Sequence, residues 1–312
     1  MEARAKELLP VPYFHVVFTV PKEVSDFALG NKKIIYEILF SAVSETLREV
    51  SERRLGAAVG FLAVLHTWSQ VLLHHPHVHC VIPGGGLSAD GQRWISSRRK
   101  FFLPVRVLGQ VFRAKFLAKL RQAYRGRELR FYGEAARLAK WTAFSGWLRG
   151  LREKRWVVYA KRPFGSPARV LKYLAQYTHK VAISNSRLLR MENGLVSFRY
   201  RDRKLANVQR KMTLGVDEFI RRFLLHTLPK GLQRIRHYGF LANACRGKKL
   251  AQCRALLGVV EGGPKASVPS VVGGDVDEVI ARDGLCPLCQ DDLVRESILP
   301  LRLMPRRWRN SS

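Results

Sequence analysis

LLHHPHVHCVIPGG, residues Leu72 to Gly85, is the stretch on which the reading of the fold turns. His77 and His79 are separated by one apolar residue inside a run that reads as a buried strand. Successive side chains point to opposite faces of a strand, so both imidazoles face the same way, roughly 7 Å apart. Two readings of the pair stand side by side: ligands to one metal ion, or part of a solvated histidine-rich loop. His74 and His75 precede the alternation and read as loop residues.

Working outward, Tyr13 to Val20 (YFHVVFTV) is β-branched and aromatic, and Pro21 ends it as a strand. From Val24 to Arg54, Ile34, Ile35, Ile38, Leu39, Val43, Leu47 and Val50 repeat at helical spacing after a Gly30-Asn31 break. Ala57 to Leu65 reads as a second strand and His66 to Gln70 as a polar turn. The order strand, helix, strand, strand predicts an α+β fold, in which adjacent strands pair antiparallel and helices flank the sheet. Downstream, Gly84-Gly85-Gly86 closes the third strand. Val107, Val111, Phe112, Phe116, Leu117 and Leu120 mark a helix over 104–125, and a second helical block, 132–148, carries Trp141, Phe144 and Trp147 as core aromatics. Trp156 to Ala160 is a further strand.

Ser166 ahead of Pro167 then caps a helix running to about His179. On it Tyr173 and Tyr177 are four residues apart, on nearly one face and about 6 Å apart along the axis. They fall at the edge of the stripe Val170, Leu171, Leu174, Ala175. That position suits rings buried with wet hydroxyls, or two nucleophiles presented to a cleft.

Charge sets the class of partner. The 312 residues hold 55 Lys+Arg against 24 Asp+Glu, a net +31, with a sequence pI near 10.8. The excess runs along the whole chain, which favours a polyanion, and nucleic acid before a membrane surface. No apolar run is long enough to span a bilayer, the first residues lack a signal-peptide layout, and five cysteines without a regular framework fit a reducing cytoplasm. Glu192-Asn193-Gly194 between strand-like runs marks a hairpin. Its arginines, Arg187, Arg199 and Arg201 among them, form a face that either tracks phosphates or is simply solvated. Arg234, Arg236 and Lys248, interleaved with His237, Tyr238 and Phe240, suit a grip on single strands. Residues 258–274 read as a linker. Beyond it Cys286 and Cys289 form half a zinc knuckle, and the eight-residue spacing of Cys245 and Cys253 is poor for completing a structural Zn²⁺ site.

The paired histidines, the Y-x-x-x-Y helix and the surrounding blocks together resemble the HUH endonuclease superfamily. More narrowly they resemble the two-tyrosine rolling-circle transposases of bacterial insertion sequences, of the insertion sequence ninety-one type. The blocks that carry the likeness are FHVVFTVP (Phe14–Pro21), HPHVHCVIPGGG (His75–Gly86), FFLPVRVL (Phe101–Leu108), KYLAQYTHKVAISNSRL (Lys172–Leu188) and FIRRFLLHTLPKGLQRIRHYGFLANACR (Phe219–Arg246). They spread, in order, over roughly residues 13 to 257.

That resemblance implies an HUH-type (RRM/ferredoxin-like) antiparallel sheet flanked by helices. It implies a divalent ion, Mg²⁺ or Mn²⁺, held by His77 and His79, with imidazoles leaning toward Mn²⁺ or softer ions. Tyr173 and Tyr177 become the nucleophiles of single-stranded DNA cleavage and strand transfer through a 5′-phosphotyrosine. A third ligand is usual there; Gln70 is preferred and Gln176 is the alternative. The expected division is a catalytic domain over 1–205 with a helical insertion at about 104–150, a basic helical extension over 206–257, and a linker and tail over 258–312. Such families carry a cysteine-rich zinc-binding segment ahead of the first strand, which this sequence starts too late to hold. A shortened copy, or a separately encoded DNA-recognition segment, is the corresponding expectation. The rival from another class is a basic protein that holds DNA without cutting it.

Overall fold

The computed structural model describes residues 7–98, 102–161, 170, 182–202 and 208–259. In chain order the strands are β1 (Tyr13–Thr19), β2 (Phe61–Trp68), β3 (His74–Pro83), β4 (Gly85–Leu87), β5 (Trp94–Ser96), β6 (Val158–Lys161), β7 (Leu188–Glu192), β8 (Leu195–Asp202), β9 (Val208–Gly215) and β10 (Ile235–Tyr238). The helices are α1 (Lys22–Ala28), α2 (Lys32–Leu55), α3 (Val105–Arg125), α4 (Trp141–Glu153), α5 (Val216–Leu224) and α6 (Arg246–Leu256). Five strands build the main sheet in the order β10-β2-β3-β1-β6, every neighbouring pair antiparallel. The α+β architecture with an antiparallel sheet and flanking helices is as expected.

Strands β1 and β3 read as near-continuous apolar runs because the sheet is covered on both faces. Phe14, Val16 and Phe18 of β1 and Val78, Cys80 and Ile82 of β3 meet the helical layer, where Leu39 and Val43 of α2 and Phe112 and Phe116 of α3 complete one core. Phe18 meets Phe112 edge-on, with ring centroids 5.1 Å apart. The break between α1 and α2 is held by Asn31, whose buried amide bonds the carbonyl of Arg130 at 2.8 Å while its Oδ1 accepts the Arg130 N–H. The block read as one helix over 132–148 is instead a 3₁₀ segment, Gly133–Ala139, followed by α4. Lys140 between them is extended, and the Ala139 carbonyl is taken by the Tyr124 hydroxyl.

The opposite face carries two apolar clusters with polar side chains between them. One cluster joins Tyr13, Val64, Val81 and Val170. The other joins Val17, Trp68 and Leu72 to Phe198, Met212, Leu214 and Phe219 of the three-stranded sheet β7-β8-β9 and α5. His15 lies between Tyr13 and Val17 on β1, and His66 between Val64 and Trp68 on β2. The hairpin β7-β8 turns through Asn193 and Gly194 at φ of 47° and 71°, the conformation that Asn-Gly favours in two-residue loops.

Three further expectations need correction. His66 is no turn residue, because β2 runs on to Trp68, and His74 and His75 belong to β3, which begins early enough to pair with it. The stretch 206–257 is not a helical extension, since β9 completes the small sheet and β10 is an edge strand of the main one. Its IRHY residues alternate: Arg236 and Tyr238 face the helices, with Tyr238 stacked on Phe61 at 5.0 Å, and Ile235 joins the other side.

Candidate metal centre

One ring nitrogen from each of His66, His77 and His79 lies within 4.8 Å of the others. The sheet produces this convergence. In the antiparallel β2–β3 ladder His66 stands directly opposite His77, and His79 follows two residues on, so period 2 keeps all three on one face. All three are buried between the flanking apolar clusters, and Trp68 stacks on the His66 ring at 4.5 Å.

Hydrogen bonds prepare two of these rings. His77 donates its Nδ1–H to the carbonyl of His75 at 2.7 Å, which leaves the lone pair on Nε2. That Nε2 is fully buried and has no hydrogen-bond partner among the described residues, an arrangement that costs free energy unless something occupies it. His79 Nδ1 lies 2.9 Å from Nε2 of His15, also buried, on β1. Burial first, then the neighbouring His66, His77 and His15, push the His79 pKa well below the usual imidazole value, so it is a neutral donor at physiological pH.

The three nitrogens fit a transition-series divalent ion. Metal–nitrogen bonds of about 2.1 Å place neighbouring ligand nitrogens about 3.0–3.4 Å apart, a modest ring adjustment from the spacing seen. Among the described residues the group is made of imidazoles, which carry no negative charge to offset that of a bound ion, and donors of this kind suit Mn²⁺ and softer ions better than Mg²⁺.

The other expected site residues are placed as follows. Gln70 is buried, but its Oε1 accepts the Arg201 N–H at 2.5 Å and its carbonyl accepts from the Arg187 guanidinium. It ties the β2–β3 connection to β8, and the third imidazole beside His77 and His79 is that of His66. Arg187 also bonds the Arg199 carbonyl and lies 5.7 Å over the Phe198 ring, and burial pulls its pKa down to about 10. Arg236 forms paired hydrogen bonds with Glu37 at 2.6 and 2.7 Å above Phe40. Arg234 sits over Trp68. Arg199 and Lys248 are exposed, and Arg201 is half-buried. Tyr173, Tyr177, Gln176, Cys286 and Cys289 lie outside the described residues. Cys245 and Cys253 flank and lie in α6 and belong to no group of three metal-ligating side chains among the described residues.

His66 and His15 were missed in the sequence. The signal for His66 is the unbroken β-rich run FLAVLHTW, in which the histidine continues the alternation of Leu62 and Val64. His15 offers only a lone histidine within an apolar strand.

A family described as "Putative transposase" matches residues 60–249. The chain is 50% identical over 293 residues to "Putative transposase y4qJ" of Sinorhizobium fredii, covering 93% of this chain and 74% of that protein. It is 28% identical over 257 residues to the "Transposase for insertion sequence element IS801" of Pseudomonas savastanoi pv. phaseolicola, covering 81% of this chain and 60% of that one. Among solved structures, the conjugative relaxase TrwC in complex with mutant OriT DNA aligns at 18% identity with a TM-score of 0.29, over 78% of this chain and 73% of that chain. A metal-bound TrwC–OriT DNA complex aligns at 17% identity and a TM-score of 0.30, over 78% and 71%.

Proposed function

The chain belongs to the transposase family matched over residues 60–249, and on that premise we propose that it is a rolling-circle transposase that cuts and rejoins single-stranded DNA through a tyrosine. The observation that carries the proposal is the convergence of His66, His77 and His79 on one buried point of the sheet. Three buried imidazoles aimed at one place, one with an orphaned nitrogen, are costly to build for packing alone.

A divalent ion held by His66, His77 and His79, Mn²⁺ before Mg²⁺, would supply Lewis acidity to a scissile phosphate, an effect worth several kcal/mol. The protein's own groups do the rest. His77 holds its ligating tautomer through the His75 carbonyl, and Trp68 keeps the His66 ring in place. The nucleophile is the hydroxyl of Tyr173 or Tyr177, which loses its proton as its oxygen bonds phosphorus. The bond from phosphorus to the 3′ oxygen breaks, and that oxygen takes up a proton to leave as a hydroxyl. The product is a 5′-phosphotyrosine that keeps the phosphoester, so a second 3′-hydroxyl reverses the step and joins strands without ATP. Two tyrosines allow two strands to be held in turn. Arg199, Arg201 and Lys248 contact the DNA backbone.

The test is incubation with single-stranded oligonucleotides, including the ends of an element encoding the protein, and Mn²⁺. A denaturation-resistant protein–DNA adduct is expected, absent from the Tyr173→Phe, Tyr177→Phe double variant. Salt-sensitive binding without any adduct would replace this reading with that of a DNA-holding protein that does not cut.

A further inference from the structure

The metal-ligating histidines of this site differ in what holds them. A neutral imidazole carries one N–H, so a ring that ligates through Nε2 must carry its proton on Nδ1 and direct it to an acceptor. For His77 that acceptor is a main-chain carbonyl, at 2.7 Å. For His79 the atom beside Nδ1 is a side-chain atom, Nε2 of His15, at 2.9 Å.

His15 comes from the neighbouring strand. In the β1–β3 ladder Val17 stands opposite His79 and His15 opposite Val81, so His15 reaches its partner diagonally, with ring centroids 5.0 Å apart and planes 23° from parallel. It is fully buried, on the same sheet face as the three ligands. Of the two tautomers of this pair, one places the proton on His79 Nδ1 and leaves Nε2 of His79 to ligate. The other has His15 donate, puts the His79 proton on Nε2 and closes that ring to a metal.

We infer that His15 is a positioning residue whose Nε2 accepts the Nδ1–H of His79 and thereby holds His79 in its metal-ligating tautomer. The inference rests on the reading of His66, His77 and His79 as a metal centre. It requires His15 itself to carry its proton on Nδ1. A neutral ring in this role, instead of a carboxylate, adds no negative charge beside the site, so the ion's attraction for a phosphate is undiminished.

The experiment has two arms. In the metal-free wild-type protein with ¹⁵N-labelled histidine, long-range proton–nitrogen NMR spectra, assigned by single substitutions, report the tautomer of each ring. The expected result is a protonated Nδ1 on both His79 and His15; a proton on Nε2 of His79 overturns the inference without any variant having to fold. In the second arm Mn²⁺ affinity is measured by the loss of the free-ion EPR signal. His15→Leu, which has no acceptor, is expected to bind Mn²⁺ roughly 10- to 100-fold more weakly than wild type, and His15→Gln, whose amide oxygen can accept, to recover most of the affinity. Folding of each variant is checked by circular dichroism. A folded His15→Leu protein with wild-type affinity overturns the inference. If the wild type itself binds no Mn²⁺ and His77→Ala changes nothing, the metal-centre reading falls and this inference falls with it.

Discussion

His66 stands directly opposite His77 across the β2–β3 ladder, their ring centroids 5.5 Å apart. This pairing turns two histidines on one strand into a three-sided group. His66→Ala should therefore remove Mn²⁺-dependent adduct formation about as completely as His77→Ala does, on the order of 10³-fold in rate from the several kcal/mol a metal contributes. Single-strand binding at moderate salt should change little. Equal rates for His66→Ala and wild type in a gel-based adduct assay would remove His66 from the site.

Two other histidines make stability depend on pH. His74 bonds the Tyr36 hydroxyl and the Ser25 carbonyl, and His226 bonds the Leu72 carbonyl and Thr67. Burial pushes both pKa values down to about 4, with the nearby Lys32 adding to the effect. In the unfolded chain both titrate near 6.5, so the neutral form is favoured by folding. Their contribution is complete above about pH 6.5 and is lost as pH falls toward 4, at most about 3 kcal/mol for each. Urea midpoints measured from pH 7.5 to 4.5 should fall accordingly, and His226→Gln should flatten the decline. A pH-independent midpoint would contradict the assignment.

Gly239 pins the edge strand to the sheet. Its φ is +59°, and a Cβ there would come 1.9 Å from the Val59 carbonyl oxygen. Gly239→Ala is expected to destabilise by about 2–5 kcal/mol through backbone strain and overpacking together. Gly194→Ala has φ of +71° but open space around it, so about 1–2 kcal/mol is expected from strain alone. Denaturant midpoints compare the two directly, and similar losses would mean that the backbone at 59–60 gives way.

The basic residues separate into holders and candidates for phosphate contact. Arg236 is engaged by Glu37 and Arg187 by Gln70 and Arg199, so alanine at either should act first on stability, by about 1–2 kcal/mol. Arg199 and Lys248 are exposed. Alanine at each should leave stability within about 0.5 kcal/mol and lower the slope of log K against log salt for single-stranded DNA by about 0.7. Fluorescence anisotropy across a salt series measures the slope. An unchanged slope places the DNA elsewhere.

Much of this protein was legible in its sequence because it depends on local periodicity. The strand at Tyr13, the helix after Asn31, the Asn193-Gly194 turn and the shared face of His77 and His79 all follow from spacing and from residue preferences of the backbone. What periodicity does not contain is which strand lies beside which, and in what register. His66 looked like a turn residue because its partner His77 is eleven positions away, and the hydrogen bonds that tie Gln70 to Arg187 and Arg201 join residues 117 and 131 positions apart. The edge strand Ile235–Tyr238 looked helical and separate because its pairing with Phe61–Val64 spans some 170 residues. Only the folded sheet brings His15, His66, His77 and His79 together. Hydrogen bonding between strands sets their register to within one residue, and a slip of one would turn each imidazole to the other face.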